Sequence, residues 1–151
     1  MKKTTTILIA IVFVASVAII SFFGMRIKVY NQIVPVTQIE CLNKNDEQLN
    51  IRVKESNNTT IIQTRFTTPA DVVSQSGTMI QLYWRVLPDD ATTKDVMFVY
   101  DKTNTRATIF KNESGEETGL VLFYKPCILD VKIMSTDGRR IIKEITVAAY
   151  A

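Results

Sequence analysis

Few residues in this chain have types and spacings that could do chemistry. There is no histidine among the 151 residues. A Ser-His-Asp triad, a Cys-His pair and any histidine-bearing zinc site are therefore excluded. Some carboxylates are sequence neighbours, such as Asp89-Asp90 and Glu116-Glu117. Adjacent side chains on a strand point to opposite faces, and in turns such pairs are solvated, so neither pair reads as an acid–base couple. Asp89, Asp90 and Asp101 could converge at one end of a β-sandwich and offer oxygen ligands to Ca²⁺, but the spaced acidic loop of a calcium site is missing. The expectation is a protein with no metal, no cofactor and no enzymatic activity.

Cys41 and Cys127 complete the inventory. They form no Cys-x-x-Cys motif and have no basic neighbour beyond Lys125, which argues against a redox-active pair. Parity with Ile39 on one side, and with Leu129, Val131 and Ile133 on the other, turns both inward. They read either as a disulfide or as two small buried thiols, and the compartment decides which is permitted. A bridge would close about 87 residues and add several kcal/mol in the chain-entropy model.

The compartment is indicated by residues 7–24, ILIAIVFVASVAIISFFG, which contain no charge. Eighteen helical residues span about 27 Å, close to the hydrocarbon thickness of a bilayer. Ser16 and Ser21 are the polar side chains of this run, and each can bond back to the preceding turn. The basic start Lys2-Lys3 also suits a secretory signal, and Ser16-Val17-Ala18 offers a cleavage site. Cleavage there would leave Ile19, Ile20, Phe22 and Phe23 exposed, so an uncleaved anchor is the better reading, and no cysteine follows the run to carry a lipid. Basic residues flank it nearly equally, with Arg26 and Lys28 beyond, so the short stub argues for orientation: residues 1–6 cytoplasmic, 25–33 a juxtamembrane linker, and the domain of residues 34–151 outside. The opposite orientation is the alternative.

Dividing the chain here also removes its basicity. Four of the 18 Lys and Arg residues flank the run, which leaves 14 against 15 acids and a net of −1 for the remainder. No basic face interleaved with aromatics remains, so nucleic acid is rejected as a partner.

About 120 residues follow, enough for one domain with its own core. Short β-branched and aromatic runs recur between Asp, Asn, Gly, Pro and Thr clusters, which predicts strands over 34–42, 49–54, 60–66, 79–87, 95–100, 107–111, 119–124, 128–135 and 140–148. The spacing points to a sandwich rather than to βαβ units. Asp137-Gly138 between two apolar runs has the chemistry of a tight primed hairpin turn. Residues 69–77 read as one helical turn or a loop, and 43–48 and 55–60 as solvated loops. In the strand holding Tyr83 and Trp84 one side chain faces in; Trp84 as core is the default, and an exposed aromatic patch for a glycan or protein is the sharper alternative. Asn57-Asn58-Thr59-Thr60 and Asn112-Glu113-Ser114 match the glycosylation sequon and are left unmodified.

From Met79 onward the chain resembles the group 2 bacterial immunoglobulin-like domains. Leu82-Tyr83-Trp84-Arg85-Val86-Leu87, the turn Pro88-Asp89-Asp90-Ala91-Thr92, Asp95-Val96-Met97-Phe98 and Arg106-Ala107-Thr108-Ile109 follow that family's order. Gly115, Gly119 and the Asp137-Gly138 hairpin with Ile145-Thr146-Val147 continue it. The resemblance covers roughly 75 residues well, with residues 36–41 as the opening strand, and departs at 43–66, where the longer link implies an extra hairpin or an altered edge. It implies an all-β immunoglobulin-like sandwich and says little of function. The functional expectation is a membrane-anchored, surface-exposed module that serves structural display or contacts a protein or glycan through its sheet edges or through loops 43–48 and 112–118. The alternative is an accessory subunit of a membrane or envelope assembly, with Ala10, Ala15 and Ala18 as a small-residue helix face.

Overall fold

The computed structural model describes residues 3–24 and 32–151. The linker expected over 25–33 and the first two residues of the stub thus fall largely outside the described residues. Two compact units divide the chain, residues 1–33 and 34–151.

The first unit is the helix α1 (Lys3–Gly24). A 20-residue window, Lys3–Phe22, has mean hydropathy 2.6 and none of it is buried against protein. The helix is long and apolar enough to cross a bilayer. Ser16 donates to the Val12 carbonyl at 2.8 Å, so its hydroxyl is satisfied within the helix as lipid would require.

The second unit is built from ten strands in sandwich-like sheets. They are β1 (Gln38–Cys41), β2 (Arg52–Ser56), β3 (Thr59–Arg65), β4 (Thr78–Gln81), β5 (Trp84–Leu87), β6 (Val96–Tyr100), β7 (Ala107–Lys111), β8 (Glu117–Phe123), β9 (Cys127–Ser135) and β10 (Ile142–Tyr150). One sheet runs β2-β3-β10-β9-β6, a second runs β4-β8-β7, and β1 pairs with β5. All pairings are antiparallel except β3 with β10. The alternation in β9 has the expected sense: Leu129, Val131 and Ile133 are buried, while Asp130 and Lys132 are exposed. They join Ile62, Ile145, Val147 and Phe98 of the same sheet, and Ile80, Val121, Phe123 and Ile109 of the other, in one core. Residues 43–66, the long link, contain the extra hairpin β2–β3.

Two local expectations are corrected by the tertiary structure. The strand expected over 79–87 breaks at Leu82-Tyr83, where the chain leaves the β8 side and joins β1. Asn43 fixes that break: its carboxamide donates to the Gln81 carbonyl at 2.7 Å and accepts from the Tyr83 N–H at 2.8 Å. The tight primed turn lies at Asn57-Asn58, where φ is 45° and 70°, and it joins Ser56 directly to Thr59; asparagine tolerates this left-handed geometry better than other side-chain-bearing residues. Asp137-Gly138 does connect β9 to β10, but in a wider loop closed by the Ser135 N–H to the Ile141 carbonyl at 2.9 Å. Of the two readings open for residues 69–77, the structure takes the loop, a turn closed by an Asp71–Ser76 bridge.

Asp137 has a different task from shaping a tight turn. Its Oδ2 accepts the Val36 N–H at 2.7 Å, and its Oδ1 accepts the Ser135 hydroxyl at 2.9 Å and the Arg139 N–H at 3.1 Å. It clamps the start of the domain to its last hairpin. The Val36 N–H, ahead of the other donors, holds the Asp137 carboxyl below the usual aspartate range. A lowered folded value contributes stability above the unfolded pKa of about 3.9, and this is lost as pH falls through the lower folded value. Asp137→Ala is therefore expected to lower the thermal midpoint at neutral pH, with the gap to the parent protein narrowing below about pH 4. Melts at a series of pH values check this, and a gap unchanged by acid would show that the carboxylate charge is irrelevant.

Candidate functional site

A concave surface of the domain follows the open side of β2. The chain reaches it through residues 43–51, which fold back along the strand. Asp46 and Ile51 exchange backbone hydrogen bonds at 2.9 and 2.7 Å, and the Asp46 carboxylate accepts the Gln48 and Leu49 N–H groups at 2.9 and 3.1 Å. Asn45 Oδ1 accepts the Val53 N–H at 2.7 Å, so one outward donor of the edge strand is already occupied. Thr64 donates to the Leu49 carbonyl at 3.4 Å and ties the loop to β3.

The opposite wall comes from the outer face of the sheet. Arg52 and Lys54 alternate outward on β2, and Gln63 stands across from Arg52. Arg65 pairs in register with Tyr150 at the end of β10. Gln63 Nε2 lies 3.5 Å from the Tyr150 hydroxyl, which accepts its hydrogen bond. These walls enclose a groove of about 640 Å³. Among the described residues, Arg52, Lys54 and Arg65 enter no ion pair, whereas Lys132, also on the outer face, lies 3.1 Å from Glu144. Such an arrangement can bind and orient a ligand through charge and hydrogen bonds.

A smaller polar pocket of about 320 Å³ lies beside β1, lined by Cys41, Glu40, Glu55, Asn58 and Lys143 among others. Lys143 occupies the inward parity of β10 shared with Ile145, Val147 and Ala149, and is 7% exposed. Its Nζ reaches Glu55 Oε2 at 3.4 Å and the Asn58 carbonyl at 3.2 Å. The Thr60 hydroxyl donates to Glu55 Oε1 at 2.6 Å. Thr60 and then Lys143 hold the Glu55 carboxyl below the usual glutamate range. Because the Glu55 side chain is 62% exposed, solvent screens this pair and its contribution is small.

Cys41 and Cys127 are free thiols, each half-buried. Cys41 ends β1 next to the Lys143 pocket, while Cys127 opens β9 opposite Ala149. Lys143 and Ala149 are six residues apart on β10, about 20 Å at the usual strand rise. The thiols therefore stand towards opposite ends of that strand, beyond the Cα separation a disulfide tolerates. Burial pushes both thiols above the ordinary cysteine range, the state of packed rather than reactive sulfur.

The remaining sequence candidates are dispersed. Asp89 is held bidentately by Arg85, and Asp101 accepts from the Thr103 N–H and hydroxyl at 2.9 and 2.6 Å. Glu117 faces Lys102 at 3.2 Å, while Glu116 donates its N–H to Asn112 Oδ1 at 2.8 Å in the β7–β8 turn. Among the described residues no group of three or more acidic or thiol side chains converges. Trp84 packs edge to face on Phe98 with ring centroids 5.2 Å apart, and Tyr83 is exposed. Of the two loops expected to meet a partner, 43–48 lines the groove and 112–118 lies at the β7–β8 turn of the other sheet. Arg52, Lys54, Arg65, Tyr150 and Lys143 escaped the sequence reading. Their signal was parity: each strand's buried positions place these charges on a definite face.

Fold and site together define a β-rich, sandwich-like domain carried behind an N-terminal apolar helix. No protein-family model matches the chain, and no curated protein matches it.

Proposed function

We propose that this protein is a single-pass, membrane-anchored module whose C-terminal immunoglobulin-like sandwich works outside the cytoplasm and binds a protein or glycan partner. The observation that carries the binding role is the groove along β2, where a folded-back loop and three cations without an ion-pair partner among the described residues form a recessed polar surface.

Strand order supports the immunoglobulin-like reading. Leaving aside the hairpin β2–β3, the sheet order β6-β9-β10 corresponds to C-F-G, and β4-β8-β7 to B-E-D. The pairing of β1 with β5, the continuation of β4, corresponds to strand A beside B. This likeness concerns fold and carries no partner identity. The anchor reading rests on α1, whose length and hydropathy suit a bilayer and whose 20-residue apolar window is unburied.

Protease treatment of intact cells carrying a C-terminal epitope tag tests the placement. The tag is expected to be removed without permeabilisation and the N-terminal stub to be retained. A tag protected until the cells are opened would sink the external placement.

A further inference from the structure

The charge pattern of the β2 groove narrows what it can hold. Arg52 and Lys54 are two residues apart on one strand, so their Cα atoms lie about 6.8 Å apart with both side chains outward. Arg65 follows two residues after Gln63, the register partner of Arg52. It therefore stands diagonally across from Arg52 at roughly 7–8 Å. Of the two acids on the opposite rim, Asp46 is engaged by two backbone N–H groups. Tyr150 lies beside the cations, 48% exposed, with its hydroxyl held by Gln63. Its ring offers a flat apolar face with a polar edge.

We infer that this groove binds an anionic glycan, a saccharide chain carrying carboxylate or sulfate groups at intervals of about 7 Å. The inference rests on the groove being the binding surface of the domain. Arg52, Lys54 and Arg65 receive the acidic groups, with the two guanidinium groups able to engage them bidentately. A sugar ring lies on Tyr150, and the Gln63, Asn45 and Asn50 carboxamides meet hydroxyls. An acidic peptide fits less well. An extended peptide would add to the open edge of β2, where Asn45 occupies the Val53 N–H and residues 46–51 stand over the strand. A nucleic acid strand calls for a longer cationic track and successive aromatic platforms, and this groove has one ring.

The test uses the full chain in nanodiscs of neutral phosphatidylcholine, titrated calorimetrically with hexagalacturonate. Binding is expected, and raising salt from about 0.05 to about 0.5 M should weaken it strongly. The double variant Arg52→Gln/Arg65→Gln should bind about tenfold more weakly or worse. Lys132→Gln, on the same sheet face but ion-paired, should bind as the parent does. Unchanged melting of all three proteins guards against a folding artefact. Absence of uronate binding, an equal loss in Lys132→Gln, or tighter binding of hexaglutamate or a short oligothymidylate would each overturn the anionic-glycan assignment. Equal binding of neutral chitohexaose, abolished by Tyr150→Ala, would overturn the charge requirement while leaving the groove as the binding surface. Binding of none of these probes would overturn both readings.

Discussion

Replacing Gly119 by alanine is expected to cost about 3 kcal/mol, combining a left-handed backbone penalty of about 1–2 kcal/mol with overpacking of about 1–3 kcal/mol. Gly119 sits in β8 at φ +76°, and a Cβ there would lie 2.8 Å from Trp84 Cζ3, 3.3 Å from Gln81 Nε2 and 3.3 Å from Phe98 Cζ. Those two rings are the edge-to-face pair, so neither can yield without breaking the contact between them. Gln81 is also committed, donating to the Leu82 and Thr118 carbonyls at 3.0 and 3.1 Å. Gly119 also holds the strand break, since its own carbonyl accepts the Leu82 N–H at 2.9 Å. Thermal melting of the full chain in mild detergent should show a midpoint lower by about 12 °C, and the fluorescence of the single tryptophan should shift with it. Gly115→Ala provides the comparison: φ is +81° but nothing lies within 4 Å of the added Cβ, so only the backbone penalty of about 1–2 kcal/mol applies. Equal losses at the two positions would refute the steric argument.

Phe123→Ala should be at least as damaging, at about 3–5 kcal/mol. Phe123 is fully buried at the end of β8 and belongs to the core shared by both sheets. Its backbone is committed as well: it stands in register between Thr78 and Ala107, and its carbonyl accepts the Ala70 N–H at 2.8 Å. The strand cannot slide to fill the space, so the lost contacts are compounded by a cavity. A midpoint depressed by about 15 °C, with the denaturant slope unchanged, is the expected outcome. A loss below about 1 kcal/mol would mean that the two layers do not share this residue as a common core.

The sequence was most legible where neighbours along the chain decide the outcome. The absence of charge over residues 7–24 predicts the apolar helix, and the alternation in residues 129–133 predicts which side of β9 is buried. Parity also turned Cys41 and Cys127 inward and gave Trp84 its packed role. Lys143 was legible by the same rule, since it shares parity with Ile145 and Val147, yet a lysine on a buried face invites the reader to distrust the pattern. Asn57-Asn58 carried turn chemistry that was passed over because the Asp137-Gly138 signal is stronger in isolation. Those side chains answered to partners far along the chain: Val36 for Asp137, and for Lys143 the pair Glu55 and Asn58.

The amino-acid order by itself determined the apolar helix, the β-rich character of the rest, and the exclusion of histidine chemistry. It also determined the slightly negative charge left once the helix flanks are set aside. Each follows from composition or from a period of a few residues, which any local segment expresses without knowing its neighbours in space. Tertiary structure decided the break at Leu82-Tyr83, enforced by Asn43 from far along the chain, and the separation of the two thiols along β10. It alone gathered Arg52, Lys54, Arg65 and Tyr150 around one groove, because register between strands remote in sequence sets which side chains share a face. The physical reason is common to all of these: alternation assigns a residue to a face, but only the packing of the two sheets settles which strands lie side by side.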